Sequence, residues 1–261
     1  MLLAIDVGNT NILFALLDGS EIRNSWRIAT DARRTSDQYA VWLHQLLILA
    51  NMGFDDVDGV IIASVVPSAT RSLVSLSQNY CGVEPHIAGK GEAQFEINVD
   101  LPDPSAVGAD RLVNAIAAHA KWQTDLIIID FGTATTFDIV DYSGSYSGGV
   151  IAPGINLSLD ALVQATAQLP RIAIQAPADD AKIIGKNTVQ AMHSGIYWGY
   201  VSMIEGMTHR LKEEIGRTTT VVATGGLAQL FNDSTSIFDA IEPDLTIDGL
   251  SLIYRRMKAK T

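Results

Sequence analysis

The sequence predicts an α/β protein of two similar halves, each opening β-β-β and continuing with alternating helices and strands, with a cleft between them. Three observations predict it. A buried strand ending in Asp, a glycine turn and a returning strand occur twice: Asp6 and Asp130, Gly8 and Gly132, and Asn9 and Thr133 each stand 124 residues apart. Each copy then runs into a third strand-like stretch. Helix caps and apolar runs alternate through the remainder of both halves. A repeat of this length is one structural unit used twice.

In the first half, LLAIDVGNTNILFALLD over Leu2 to Asp18 reads as a hairpin with a polar tip, and Glu21 to Ala29 as its third strand. Thr35 and Gln38 fit a capping box before YAVWLHQLLILA, and Asn51 to Gly53 makes a stop. A strand follows at Val60 to Val65, a helix from about Ser68 and a short strand near Pro85 to Ala88. The acidic, proline-containing stretch Asn98 to Ser105 reads as a loop. Gly108 to Lys121 is a helix with Leu112, Val113, Ile116 and Ala117 on one face. In the second half, LIIIDFGTATTFDIVD over Leu126 to Asp141 repeats the hairpin, and Ser145 to Ala152 is its third strand. Asn187 and Gln190 cap a long helix whose Met192, Ile196, Tyr200, Met203, Met207 and Leu211 advance by three or four. The strand TTTVVAT runs into Gly225 and Gly226, followed by a short helix and a last one near Leu250 to Met257. No linker separates the halves, so the expected domains are residues 1–121 and 122–261.

Bulk properties narrow the function. The 261 residues, 48% hydrophobic and 18% charged, suffice for a sizeable core. With 18 Lys and Arg against 29 Asp and Glu, the net charge of −11 disfavours a nucleic-acid or anionic-membrane partner. Cys81 is the one cysteine, the start MLLAIDVGNT lacks a basic leader, and no apolar run is long enough to span a bilayer. The expected compartment is the cytoplasm.

The chemistry is sought where polar turns interrupt buried strands. In DVGNTN, Gly8 lets backbone approach an anion, amides and the Asn9, Thr10 and Asn11 side chains can donate to phosphate, and Asp6 can handle a metal. A tight hairpin needs the same residues, but the second copy, with Asp130, Gly132, Thr133, Thr135 and Thr136, lets paired loops grip a triphosphate from two sides. ATGG, between a strand and a helix, suits backbone contact with a nucleoside or simply starts the helix. In VGADRLVNA, Asp110 can accept a proton from a substrate hydroxyl and Arg111 can hold a carboxylate. Alternatively, Asp110 favours the helix end and Arg111 faces solvent. The two Gly-Lys pairs lack a P-loop's other residues, no dinucleotide fingerprint follows a strand, and neither a tight transition-metal site nor a nucleophilic hydrolase has its usual spacing.

AIDVGNTN, GADR, DFGTATTFD and ATGG, in this order over nearly the whole chain, together resemble the type III pantothenate kinases. The resemblance implies two RNase H-like domains of the actin-like ATPase superfold and transfer of the ATP γ-phosphate to the hydroxyl of pantothenate, opening coenzyme A biosynthesis. It also implies Mg²⁺, a monovalent cation (K⁺ or NH₄⁺) and a homodimer. By that resemblance, the ATP loop falls on Asp6, Val7, Gly8, Asn9, Thr10, Asn11, Ile12, Leu13 and Phe14, with Thr133 as a second contact. Asp110 is then the base. Gly108, Ala109, Asp110, Arg111 and Thr188 hold pantothenate, Asp130 the monovalent cation, and Asp6 contacts Mg²⁺. Many members carry tyrosine, in a Y-D-N-P run, where this chain has Leu101. Two other readings share parts of the pattern: an actin-like phosphotransferase for a sugar or carboxylate, and a non-enzymatic regulator on the same fold. The three retained aspartates argue against the second.

Overall fold

The computed structural model describes residues 1–178 and 182–260. They form two compact units.

The first unit is built on a five-stranded sheet of β1 (Leu2–Val7), β2 (Asn11–Asp18), β3 (Glu21–Ala29), β4 (Gly59–Ser64) and β5 (His86–Ile87) in the order β3-β2-β1-β4-β5. β1 pairs antiparallel with β2 and parallel with β4. Because side chains alternate along a strand, β1 feeds both faces. Leu3, Ile5 and Val7 pack under α1 (Ser36–Leu49) and α2 (Pro67–Leu76), while Leu2 and Ala4 pack on the other side with α3 (Ala109–Lys121). α1 starts where its cap predicts: the Gln38 amide donates to Thr35 Oγ1 at 3.3 Å and the Thr35 amide to Gln38 Oε1 at 2.9 Å. Leu112, Val113, Ile116 and Ala117 of α3 are all buried, as their spacing requires.

The second unit repeats the plan with β6 (Asp125–Phe131), β7 (Ala134–Val140), β8 (Tyr146–Pro153), β9 (Thr219–Thr224) and β10 (Ala240–Ile241) in the order β8-β7-β6-β9-β10. α4 (Ile155–Gln164) follows β8, and α5 (Thr188–Ile215) is the long helix, with the Gln190 amide donating to Asn187 Oδ1 at 2.9 Å. Ile127, Ile129, Phe131 and Phe137 pack with Tyr197, Tyr200, Val201 and Ile204 of α5 and with Phe231 of the short α6 (Ala228–Phe231). At the start of β6, Asp125 is nearly buried and takes two hydrogen bonds from Arg217, at 2.6 and 2.8 Å. That guanidinium holds its carboxyl below the usual carboxylate range.

The two units are discontinuous along the chain. α7 (Leu245–Lys258) groups with the first unit, because Ile247, Leu250, Ile253 and Met257 complete the buried face shared by β1, β4 and α3. Val99–Leu101 groups with the second, where Val99 bridges Tyr146. The repeat itself is offset by one residue past the turn: Val7 pairs with Ile12 but Phe131 pairs with Thr135, so the second turn is one residue shorter. Among the described residues no helix is long and apolar enough to cross a membrane.

Candidate active site

Two groups of the expected residues assemble, one in each unit. In the first, Asp6 lies half-buried near the end of β1. The turn beyond it is closed by the Gly8 amide donating to the Asn11 carbonyl at 3.0 Å. Thr30, just past β3, holds the same turn: its hydroxyl donates to the Gly8 carbonyl at 2.7 Å and its amide to the Thr10 carbonyl at 2.9 Å. Asn9, Thr10 and Asn11 are left exposed on a braced loop. Val7, Ile12 and Phe14 bury their side chains in the core, so those positions offer a ligand only backbone, and Leu13 is half-buried.

Gly108, Ala109, Asp110 and Arg111 are all half-buried at the start of α3. One oxygen of Asp110 accepts the Arg111 amide at 2.9 Å, and the Leu112 amide reaches the Gly108 carbonyl at 3.3 Å. A Cβ on residue 108 would stand 2.5 Å from that same oxygen, so glycine is what lets the carboxylate fold back over the turn. The same Cβ would stand 3.5 Å from Val65, whose amide donates to the Val7 carbonyl at 3.1 Å. Val65 therefore joins the Asp110 turn to the strand that carries Asp6.

In the second unit Asp130 occupies the place on β6 that Asp6 holds on β1, and the Gly132 amide closes its turn onto the Ala134 carbonyl at 3.0 Å. Thr133 is exposed, and its carbonyl accepts the Gly154 amide at 3.1 Å. Gly225, at φ +89°, passes so close to β6 that a Cβ there would stand 2.5 Å from Asp130 Oδ1 and 2.7 Å from the Phe131 amide nitrogen and carbonyl oxygen. Gly225 of ATGG thus presses on the aspartate rather than on open space. Thr135, fully buried, hydrogen-bonds the Tyr200 hydroxyl of α5, and burial pushes the Tyr200 phenol up. Thr188 is exposed at the head of α5, and among the described residues no hydrogen bond ties it to either group.

The donor set suits hard cations held jointly with phosphate. No cluster of three metal-ligating side chains occurs among the described residues. Each turn instead carries one carboxylate, and at Asp130 the carboxylate lies close to Gly225, beside the amide nitrogen and carbonyl oxygen of Phe131. Mg²⁺ takes one or two carboxylates plus phosphate oxygens rather than an all-protein cage, and a monovalent cation accepts the same hard donors. Sequence reasoning missed Thr30 and Tyr200, and neither carries a signal in its own neighbourhood.

The sequence profile of the family described as type III pantothenate kinase matches residues 2–210. A type III pantothenate kinase of Rhizorhabdus wittichii is 60% identical over 258 residues, 99% of either chain. One of Zymomonas mobilis is 59% identical over 261 residues, all of this chain and 94% of its own. Among solved structures, a Campylobacter jejuni protein titled a Baf family transcriptional activator aligns over 98% of this chain and 99% of its own, with a TM-score of 0.61 at 17% identity. A Sinorhizobium meliloti protein titled a 2-dehydro-3-deoxygalactonokinase aligns over 98% and 96%, with a TM-score of 0.59 at 12% identity. At such identities the two structures speak to the fold alone, two α/β units each built on a five-stranded sheet.

Proposed function

The chain belongs to the type III pantothenate kinase family, and from that premise we propose how its residues divide the work of phosphorylating pantothenate with ATP. The reaction, which yields 4′-phosphopantothenate and opens coenzyme A biosynthesis, follows from identity of 53–60% along the full chain to three relatives of that name. That match is the observation that carries the function.

The residue roles are our reading. The pantothenate hydroxyl oxygen attacks the γ-phosphorus, the bond to the β-phosphate oxygen breaks, ADP leaves, and the hydroxyl proton passes to Asp110. Phosphoryl transfer through a loose transition state asks for alignment and charge stabilisation more than for covalent help. The braced turn from Asp6 to Leu13 supports the role of phosphate cradle, through its backbone and the exposed Asn9, Thr10 and Asn11, with Thr133 as the contact from the second turn. Asp110 suits the base because Gly108 folds its carboxylate back and Val65 ties its turn to β1. Arg111 would pair with the pantothenate carboxylate, a local attraction needed in a chain of net charge −11. By the same reading Gly108, Ala109 and Thr188 also bind pantothenate.

Asp6 would contact Mg²⁺, and Asp130 would hold K⁺ or NH₄⁺. When bound, these ions supply positive charge to the transferring phosphoryl oxygens. We further read the protein as a cytoplasmic homodimer that meets through α5, with no nucleic-acid or membrane partner. The deciding experiment measures ADP release with and without pantothenate and weighs the product by mass spectrometry. We expect release to require pantothenate and the product to gain one phosphoryl group. ADP release driven by sugars and indifferent to pantothenate would overturn the reading.

A further inference from the structure

A buried carboxylate in the second unit has no part in the site described above. Strand alternation sends Phe131, Thr135 and Phe137 toward α5, so Asp130, Thr136 and Asp138 share the other face of the sheet. Asp138 is 0% exposed and Tyr146 is 1%. One oxygen of Asp138 accepts the Tyr146 hydroxyl at 2.7 Å and the other accepts the Thr136 hydroxyl at 2.9 Å. Thr136 is the register partner of Asp130. Burying a carboxylate is costly even when donors satisfy it, and a well-packed apolar residue serves a core at least as well. The arrangement must therefore secure something besides the core.

What it secures is visible on Tyr146. Its carbonyl accepts the Asp100 amide at 2.9 Å, and Val99 bridges it in parallel, adding a short strap to the edge strand β8. Leu101 lies against the same strand, 3.6 Å from where a Cβ on Gly148 would stand. Past Leu101 the chain runs through Pro102 to Val107 into the turn that carries Asp110. Asp138 thus fixes Tyr146 by its hydroxyl, and Tyr146 fixes the strap by its backbone.

We propose that Asp138 is a positioning residue for the reaction. Through Tyr146 it seats the strap Val99–Leu101 on β8 and so holds the upstream end of the segment that delivers the catalytic base and the substrate clamp. Groups that orient reacting residues without touching substrate act in this way, and small displacements of the reacting groups are expensive. The inference rests on the reading of Gly108 to Arg111 as the substrate-side site.

The test compares Asp138→Leu, Tyr146→Phe and Asp138→Asn. Asparagine keeps an acceptor for the tyrosine, and Tyr146→Phe gives the same readout should Asp138→Leu fail to fold. Hydrogen exchange of the Asp100 amide in the free protein reads the strap, with the Ile127 to Ile129 amides as reference. We expect the first two variants to speed Asp100 exchange and raise KM for pantothenate, each by about tenfold or more, with KM for ATP within about twofold. Asp138→Asn should restore both toward wild type. Unchanged Asp100 exchange in Tyr146→Phe overturns the anchor. Faster exchange with an unchanged KM for pantothenate overturns its role in the reaction, as does faster exchange throughout β6 with both KM values raised. Because exchange is read without substrate, it tests the anchor separately from the assignment of Asp110, which stands or falls by turnover of its own asparagine variant.

Discussion

Gly225→Ala is the substitution whose consequence the structure sets most closely. The backbone there has φ +89°, and an added Cβ meets Asp130 Oδ1 at 2.5 Å and the Phe131 backbone at 2.7 Å, none of it the yielding tip of a long side chain. Forcing an L residue into positive φ costs about 1–2 kcal/mol, and inserting a methyl into packed structure about 1–3 kcal/mol. A loss of about 3 kcal/mol is expected, which for a chain of this size lowers Tm by about 6–12 °C. Gly19→Ala is the control, because its φ is +63° with nothing within 4 Å of the new Cβ, so it carries the dihedral cost alone. The difference between the two isolates the collision with β6. Relief of that collision displaces either the strand or the Asp130 carboxylate, so the K⁺ concentration for half-maximal activity should rise about tenfold or more, as when a supporting group beside a metal ligand is lost. Thermal unfolding and a K⁺ titration of turnover read both effects. A Gly225→Ala protein that melts within about 1 °C of Gly19→Ala and keeps the wild-type cation requirement would refute the reasoning.

Asp110→Asn keeps the shape of the turn and removes the base, so kcat should fall by about 10²–10⁴ while nucleotide titration shows unchanged ATP affinity. Near-normal turnover would sink the assignment. Arg217→Met leaves Asp125 charged and unpaired, so the variant should be less stable in denaturant at neutral pH. The carboxyl of Asp125 is depressed in the folded protein, so the pair's contribution is present above the ordinary carboxylate pKa of about 3.9 and fades as pH falls through the depressed value. A stability difference from wild type that does not shrink below about pH 4 would contradict this account. Gly199→Leu has room in the isolated chain, where nothing lies within 4 Å of the new Cβ, so it should fold normally, sediment as a monomer and lose most activity. A variant that remains dimeric and active would exclude α5 as the meeting surface.

The elements legible in the sequence were those whose signals are local. The Thr35 cap, the Asn187 cap, the hairpins with their Asp-Gly tips and the apolar face of α3 depend on residues within a turn or two of each other, and they stand as expected. α4 escaped notice because Gly154 caps it without a side chain. The last helix begins five residues earlier than its apolar run, at Leu245. Its place with the first unit was out of reach, since an apolar stripe says that a face is buried and not against which sheet. Gly249, whose Cβ would stand 2.5 Å from the Val113 carbonyl of α3, was the residue that marked a close crossing. In the site, the Asp and Gly positions declared themselves because they sit on sharp turns. The supports did not: Thr30, Tyr200 and Tyr146 act on residues 22, 65 and 8 positions away, and nothing in their own neighbourhoods marks them.

The grouping of α7 with the first unit sets an order of events on the ribosome. A nascent chain that has emerged as far as Asp244 holds every segment of the second unit, yet its first sheet still exposes Leu2, Ala4, Ala15, Ile61 and Ala63, the residues that α7 covers together with α3. Domains fold as units when their parts are present, so the half synthesised first is the half completed last, with the second unit inserted into it as a finished body. Until then an apolar sheet face stands open, the kind of surface that makes an incomplete chain prone to aggregate.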